Sequence, residues 1–487
     1  MSLAKKAARG ALWTIASSMG GRFIGVIGTL VMTRFLAPEQ IGEVSDATII
    51  AMTGNWATIW GFGQYSVVKG RGEDARSVRW HATVAYMGLG AIGLGLVALF
   101  GGQLAPFFDA PRAASYVPGM ALALYIRRLG AMPERVLAQQ MNFRASGIAM
   151  VVGELSYTVS ALGLAALGHG GWSIVFANLI QSTVVVLILL RAAGIASWAT
   201  PAPLRWERYK DMLKFGVPLG IQGLAHGAAR YWGTLAVSHY FGPGPTGAYN
   251  MAYNLADIPA IQVGEQIALV LMPSMAELPP ERRPRALERS TALLSLIIFP
   301  LAVGLGLVAY PLVALILPNN EWQLVAPLLV VLTCLSVFRP ITWVLSAYFE
   351  AESKTNRLMI LEIAKLAILL ACIALLAPSG VRAASGAVGI AFGVTAVAGI
   401  VMVSREGPSW RRLVMGFVQP ALACVVMAAV DVALYEAMEH AGVTRPAVQL
   451  VALIVVGAAA YIAAALVICR ETSRDLLDLL KKALRRD

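Results

Sequence analysis

Charge is what this sequence has least of. Asp, Glu, Lys and Arg make up only 14% of its 487 residues, against roughly a quarter in soluble domains. That deficit excludes an ordinary water-soluble fold, whose surface must be covered with polar groups. Cysteine is scarce as well. Cys334, Cys372, Cys424 and Cys469 lie inside or at the end of apolar runs, with no CxxC pair and no histidine at ligand spacing. They read as small buried hydrophobes rather than as a zinc site or a disulfide framework. Long polar connectors are missing too. There is no room for a nucleotide-binding domain and no GxxxxGK[ST] motif, so energy must come from an ion or membrane gradient, from the substrate gradient or from another subunit. The same shortness excludes a polymerase or glycosyltransferase that works through an acid or metal pair in a sizeable loop.

What fills the chain is apolar sequence: 58% of the residues are hydrophobic, and the mean hydropathy is +0.69. Runs long enough to cross roughly 30 Å of hydrocarbon divide it into about fourteen transmembrane helices. The ones that matter below run near 11–33, 43–65, 114–132, 213–238 and 248–272. Lys5, Lys6 and Arg9 precede the first run, which continues to about Thr33; that is too long for a signal-peptide core, so it is expected to remain as the first span. If the helices alternate from a cytoplasmic start, the outside connectors hold only Arg34, Arg112, Arg382 and Arg445. Arg22, Arg230, Arg339 and Lys365 fall inside spans, and the remainder of the 39 Lys and Arg lie on inside segments. This bias predicts an even number of spans with both termini cytoplasmic. It also assigns the net charge of +12 to membrane lipid contact, not to nucleic acid.

An internal repeat sets the expected architecture. RFLAPEQIG, from Arg34 to Gly42, follows the first span, and HYFGPGPTG, from His239 to Gly247, follows the seventh. Pro38 matches Pro243, and Gly42 matches Gly247, at one constant offset. Six intervening spans make the halves parallel copies related by an axis along the membrane normal. The expected fold is therefore all-α: a polytopic membrane protein with two six-helix lobes, residues 1–210 and 211–405, around a central cavity. Two additional spans would follow over 406–469, then a cytoplasmic amphipathic tail over 470–487.

Polar residues within the hydrocarbon are expensive and tend to face a cavity or a partner. Thr14, Ser18, Arg22, Gly25 and Thr29 of the first span fall within about 80° of one another on a helix. Gln222, His226, Arg230 and Gly233 form a similar stripe in the seventh, and Arg22 and Arg230 are placed in one cavity. The eighth span offers Asn250, Asn254, Asp257 and Glu265, and the second offers Glu43 and Asp46, followed by Trp56, Trp60 and Gln64. Carboxylates in this setting could bind a proton or Na+, or neutralise the arginines. Glu362 and Lys365, three apart, are expected to pair. Arg339 with Pro340 marks a candidate helix break, and Glu154 and Asp431 stand isolated. Trp80, Trp172 and Trp322 are expected as interfacial anchors.

With these features in view, the chain resembles the polysaccharide flippases of the Wzx type, within the multidrug, oligosaccharidyl-lipid and polysaccharide exporter superfamily. The resemblance is densest in ARGALWTIASSMG, in TRFLAPEQIG, in LKFGVPLG at Leu213 to Gly220, and in FGPGPTGAYNMAYNL followed by MPSMAEL at Met272. It implies a bacterial inner-membrane transporter, not an enzyme. By alternating access it would move an undecaprenyl-diphosphate-linked oligosaccharide to the outer leaflet for cell-surface polysaccharide synthesis, with no cofactor. Arg22 and Arg230, with Gln222 and His226, would meet the diphosphate, since guanidinium donors suit phosphate oxygens. Asp257, Glu265 and Asp46 would serve ion coupling, to Na+ or protons, or charge balance. A polysaccharide polymerase and a chain-length regulator are the expected partners. The other reading is a cation-coupled exporter of small amphipathic compounds.

Overall fold

The computed structural model describes residues 20–484, apart from 22, 23, 26, 70–74, 109, 141, 260–278, 318–321, 353 and 406. Among the described residues every regular element is a helix. Nine of these helices are long and apolar enough to cross a membrane. The expected spans outside that set are the first, second, fourth, seventh and eighth. Of these, the first and eighth lie partly outside the described residues, the second is interrupted, and the fourth is a helix of only 17 residues. The seventh mixes apolar residues with Gly, His and Arg. The chain divides into two compact units, Met1–Gly247 and Ala248–Asp487.

In the first unit, α1 (Pro38–Trp56) and α2 (Phe62–Lys69) cover the expected second span. Next come α3 (Ala75–Phe100), which runs on into a 3-10 turn over Gly101–Phe108, then α4 (Ala113–Leu129) and α5 (Ala131–Gln139). The unit is completed by α6 (Phe143–Ala166), α7 (Trp172–Ala193) and α8 (Trp206–Phe241). Pro38 starts α1 where a missing N–H costs nothing, and the Ala37 N–H donates to the Gln40 side chain at 3.1 Å. α8 stops at Gly242, whose φ of 76° favours glycine, and Pro243 at once opens α9 (Pro243–Pro259). A core of Phe62, Ala82, Met132 and Met212 ties α2, α3, α5 and α8 together.

In the second unit, α10 (Arg283–Leu307) is central. Around it are α11 (Ala309–Ile316), α12 (Val325–Leu332), α13 (Cys334–Ala351), α14 (Thr355–Leu376), α15 (Val381–Ser385) and α16 (Ala387–Ser404). α17 (Trp410–His440), α18 (Pro446–Ile468) and α19 (Arg470–Leu484) complete it. One face of α10 joins α13, α14 and α16 through Leu294, Val344, Phe349, Leu361 and Ile400. Another meets α17 and α18 through Phe299, Met427 and Tyr461, whose hydroxyl donates to the Leu296 carbonyl at 2.7 Å. The amphipathic tail is the helix α19. It is held by Leu476 at the edge of that core and by a two-pronged Arg289–Asp475 pair at 2.7 and 3.2 Å.

Two local expectations are corrected. α13 runs unbroken through Arg339 and Pro340, so no helix break lies there. Trp322 is wholly buried, so it packs inside the protein and is no interfacial anchor.

Candidate functional site

The second span is interrupted where the sequence looks like one apolar run. α1 ends at Trp56, the backbone passes through Ala57–Trp60 to Gly61 at φ 66°, and α2 begins at Phe62. Interrupting a helix leaves carbonyls without their intrahelical N–H, and a buried break calls on donors from elsewhere in the protein. Arg128 of α4 supplies them. Its Nη2 donates to the Asn55 carbonyl at 3.1 Å and to the Thr58 hydroxyl at 2.8 Å, while Nη1 donates to the Tyr86 carbonyl at 3.1 Å. The guanidinium lies over the Tyr86 ring, 4.5 Å from its centroid, and packs on Gly90. Only 3% of Arg128 is exposed. A fixed cation at the C-terminal end of α1 also suits the partial negative charge there.

The seventh span is shaped to receive this break. Gly216 sits against the Trp60 carbonyl, Gly220 against the Ile59 carbonyl, and Gly227 against the Trp56 ring. The LKFGVPLG segment thus works as a small-residue contact that lets α8 approach bare backbone closely. Trp232 Nε1 donates to the Thr53 hydroxyl at 3.1 Å, and the Trp56 and Tyr231 rings lie 5.2 Å apart.

At the other end of α1 the two copies of the repeat meet. Gly42 packs against the carbonyl of Pro243, and Gly247 packs against the carbonyl of Pro38. The contact is reciprocal: each glycine leaves room for the other turn's proline carbonyl, where a methyl group would collide with backbone. One turn further along α1, Asp46 is completely buried and accepts a hydrogen bond from the Ser238 hydroxyl of α8.

Several other described charges inside spans are paired or buried within their own unit, whereas Arg127 on α4 is exposed. Asp257 and Arg339 form an ion pair, and the Arg339 guanidinium lies 5.8 Å from the Trp343 ring centroid. Lys365 donates to Glu362 at 2.8 Å and lies 4.8 Å from the Phe392 centroid; this is the pair that the i,i+3 spacing predicts. Glu154 is not isolated, because Gln181 Nε2 donates to it at 2.9 Å and Gly25 of the first span packs on its carboxylate. Gly28 packs likewise on Thr158. Asp431 is buried with Gly457 packed on its carboxylate.

Of the cavity residues predicted from sequence, Arg22 and Glu265 lie outside the described residues. Gln222, His226 and Arg230 are carried by α8, but their side chains lie outside the described set. Asp46 and Asp257 are both buried, each with a partner in its own unit. Sequence reasoning missed Arg128 and Ser238. Arg128 is one of the many Lys and Arg that the charge bias assigns to inside segments, and a lone serine in an apolar helix carries no signal of its own. Among the described residues no group of three or more His, Cys, Asp or Glu gathers as a metal site.

Comparison with known proteins places this arrangement. A profile of the family described as "Polysaccharide biosynthesis protein" matches residues 31–327, more than half of the chain. The succinoglycan biosynthesis transport protein ExoT of Rhizobium meliloti is 28% identical over 67% of this chain, and the match spans 65% of that protein's own length, just under two thirds. The lipopolysaccharide biosynthesis protein WzxC of Escherichia coli is 21% identical over 73% of this chain and 72% of its own. Among solved structures, the lipid II flippase MurJ in an inward closed conformation superposes with a TM-score of 0.75, at 13% identity, over 95% of this chain and 99% of its own. An inward-facing multidrug resistance transporter of the MATE family gives 0.65 at 16% identity, over 80% of this chain and 96% of its own; at these identities both show a shared fold. The chain belongs to the polysaccharide biosynthesis protein family, and it is a polytopic membrane protein that shares its fold with the MurJ and MATE transporters.

Proposed function

We propose that this protein flips an undecaprenyl-diphosphate-linked oligosaccharide repeat unit from the cytoplasmic to the outer leaflet of a bacterial inner membrane, for cell-surface polysaccharide synthesis. The observation that carries the reading is family membership over residues 31–327. The relatives' transport and polysaccharide roles and the lipid flippase fold support it. In this reading about fourteen spans form two six-helix lobes, residues 1–210 and 211–405, that alternate access to a central cavity. The last two spans and the tail stand outside the lobes, and both termini face the cytoplasm.

Arg22 and Arg230 contact the diphosphate, with Gln222 and His226 beside them. Asp257, Glu265 and Asp46 serve charge balance or coupling to Na+ or protons. The protein works as a transporter, not an enzyme, beside a polymerase and a chain-length regulator. Removing the gene from its host is expected to stop surface polymer and to leave lipid-linked repeat units in the cytoplasmic leaflet, shielded from enzymes added to spheroplasts. If the repeat units stay accessible from outside and only drug efflux falls, the small-molecule exporter reading replaces this one.

A further inference from the structure

The alternating-access reading requires the turns at 34–42 and 239–247 to part whenever the protein opens to the side that the charge bias assigns to the exterior, so whatever holds them together governs that opening. The reciprocal glycine contact gives the shape of the seal, but Gly and Pro backbone atoms gain little by meeting. The polar link beneath it is more telling. Asp46 is 0% exposed, receives one hydrogen bond from Ser238, and has its second oxygen, Oδ1, buried with no hydrogen-bond partner among the described atoms.

Among the described residues no cation is paired with it. On α1 itself, Glu43 is one turn before it and Glu39 lies beyond. At the start of α4, Arg112, just before the helix, and Tyr116 within it are the electrostatic neighbours of Glu43. On α8, His239 follows Ser238, but its Nδ1 lies 2.7 Å from the Phe107 carbonyl and its ring stacks on Phe107 at 4.1 Å. α3 carries its charges, Arg76 and Arg79, at the far end, and neither the turn Gly101–Phe108 nor residues 243–247 brings a charged side chain.

We propose that Asp46 is a protonation site that latches this crossing: the seal stays shut while Asp46 carries a proton and opens when the proton leaves. A neutral carboxyl can be buried with one hydroxyl partner, whereas a carboxylate there would need a counter-charge or several more donors. Parting of α1 from α8 admits water, and Asp46 then gives its proton to that water and leaves a hydrated carboxylate. Re-closure takes a proton back from the same aqueous phase. External acidity would therefore favour return to the sealed state. A metal cation is a poorer occupant, since one carboxyl and one hydroxyl fall short of the oxygen ligands it demands. This deepens the flippase reading and rests on its alternating access.

The test is cross-linking across the crossing, where a Cβ on Gly244 would lie 3.2 Å from Glu39 Cγ. Glu39→Cys and Gly244→Cys are introduced together into the full chain with its native cysteines replaced. Yield is read without substrate and normalised to the reactivity of each thiol, so the outcome is independent of what the protein carries. Yield is expected to fall as the pH is raised from about 5 to about 9, across the carboxyl range accessible to proteins. With Asp46→Asn added, the low-pH yield should persist throughout. Ser238→Ala should shift the fall to lower pH, because the hydrogen bond that holds the protonated latch across the crossing is gone. Gly42→Val should abolish cross-linking at every pH. An identical pH dependence in the parent and Asp46→Asn chains would overturn the latch, as would sodium at fixed pH reproducing the loss. Parent-like cross-linking in Gly42→Val would overturn the seal itself.

Discussion

An Arg128→Met chain is expected to be the least stable single variant of the first unit. The guanidinium makes three hydrogen bonds, two to carbonyls and one to a hydroxyl, around the interruption between α1 and α2. Hydrogen bonds from a charged donor contribute on the order of 1.5–3 kcal/mol each. A net loss of about 3–5 kcal/mol is a fair expectation for breaking a buried charged cluster by removing one member. Methionine keeps the apolar stem and its packing on Gly90 and Tyr86, so the loss isolates the polar head. Lysine should recover only part of it, because one ammonium cannot span Tyr86 on α3 and Asn55 on α1 as the fork does. Thermal unfolding in detergent is the measurement. An Arg128→Met chain that melts with the parent would mean that the interruption needs no clamp.

Removing charge at the proposed diphosphate contacts should have the largest effect on function. Arg22→Gln or Arg230→Gln is expected to abolish surface polysaccharide while protein abundance in the membrane stays normal. Each guanidinium–phosphate pair is charge-assisted and contributes about 1.5–3 kcal/mol, and every 1.4 kcal/mol corresponds to tenfold. A single substitution should therefore slow flipping by about 10- to 100-fold, and Arg→Lys at either position should retain part of the rate. The abundance readout separates this from the Arg128 case, where the protein itself is lost. Polymer at parental levels in both glutamine variants would remove these arginines from the transport path.

The features that were legible in the sequence share a cause. Long apolar runs have one dominant energetic demand, burial in hydrocarbon, so the runs near 146–167, 171–191, 358–378, 384–404, 414–435 and 447–469 coincide with α6, α7, α14, α16, α17 and α18. The repeat was legible because Pro and Gly at matched positions impose backbone shape, and the reciprocal packing of Gly42 and Gly247 supplies the steric reason for both glycines. The Glu362–Lys365 pair follows from helical spacing alone.

What stayed hidden depends on distance along the chain. The interruption in the second span is marked by Gly61 alone, within residues as apolar as their neighbours, and its stability comes from α4 and α8. Arg128 reads as an interfacial charge because its partners are carbonyls, which every residue has. Glu154 looked isolated since Gln181, 27 residues later, is as ordinary a residue as Ser238 is for Asp46. Trp322 shows the same limit in reverse: position near a connector suggests an anchor, but burial is decided by the helices that fold over it.

The central claim, that a diphosphate-linked glycan crosses the bilayer through this chain, is tested most directly by reconstitution. The purified protein is placed in vesicles whose inner leaflet holds an undecaprenyl-diphosphate oligosaccharide with a fluorescent sugar, and a membrane-impermeant quencher is added outside. The account predicts quenching that grows with time for the parent chain and stays near empty-vesicle rates for Arg22→Gln. Fluorescence that remains protected in vesicles containing correctly folded parent protein, while the same vesicles extrude an amphipathic dye, would contradict it.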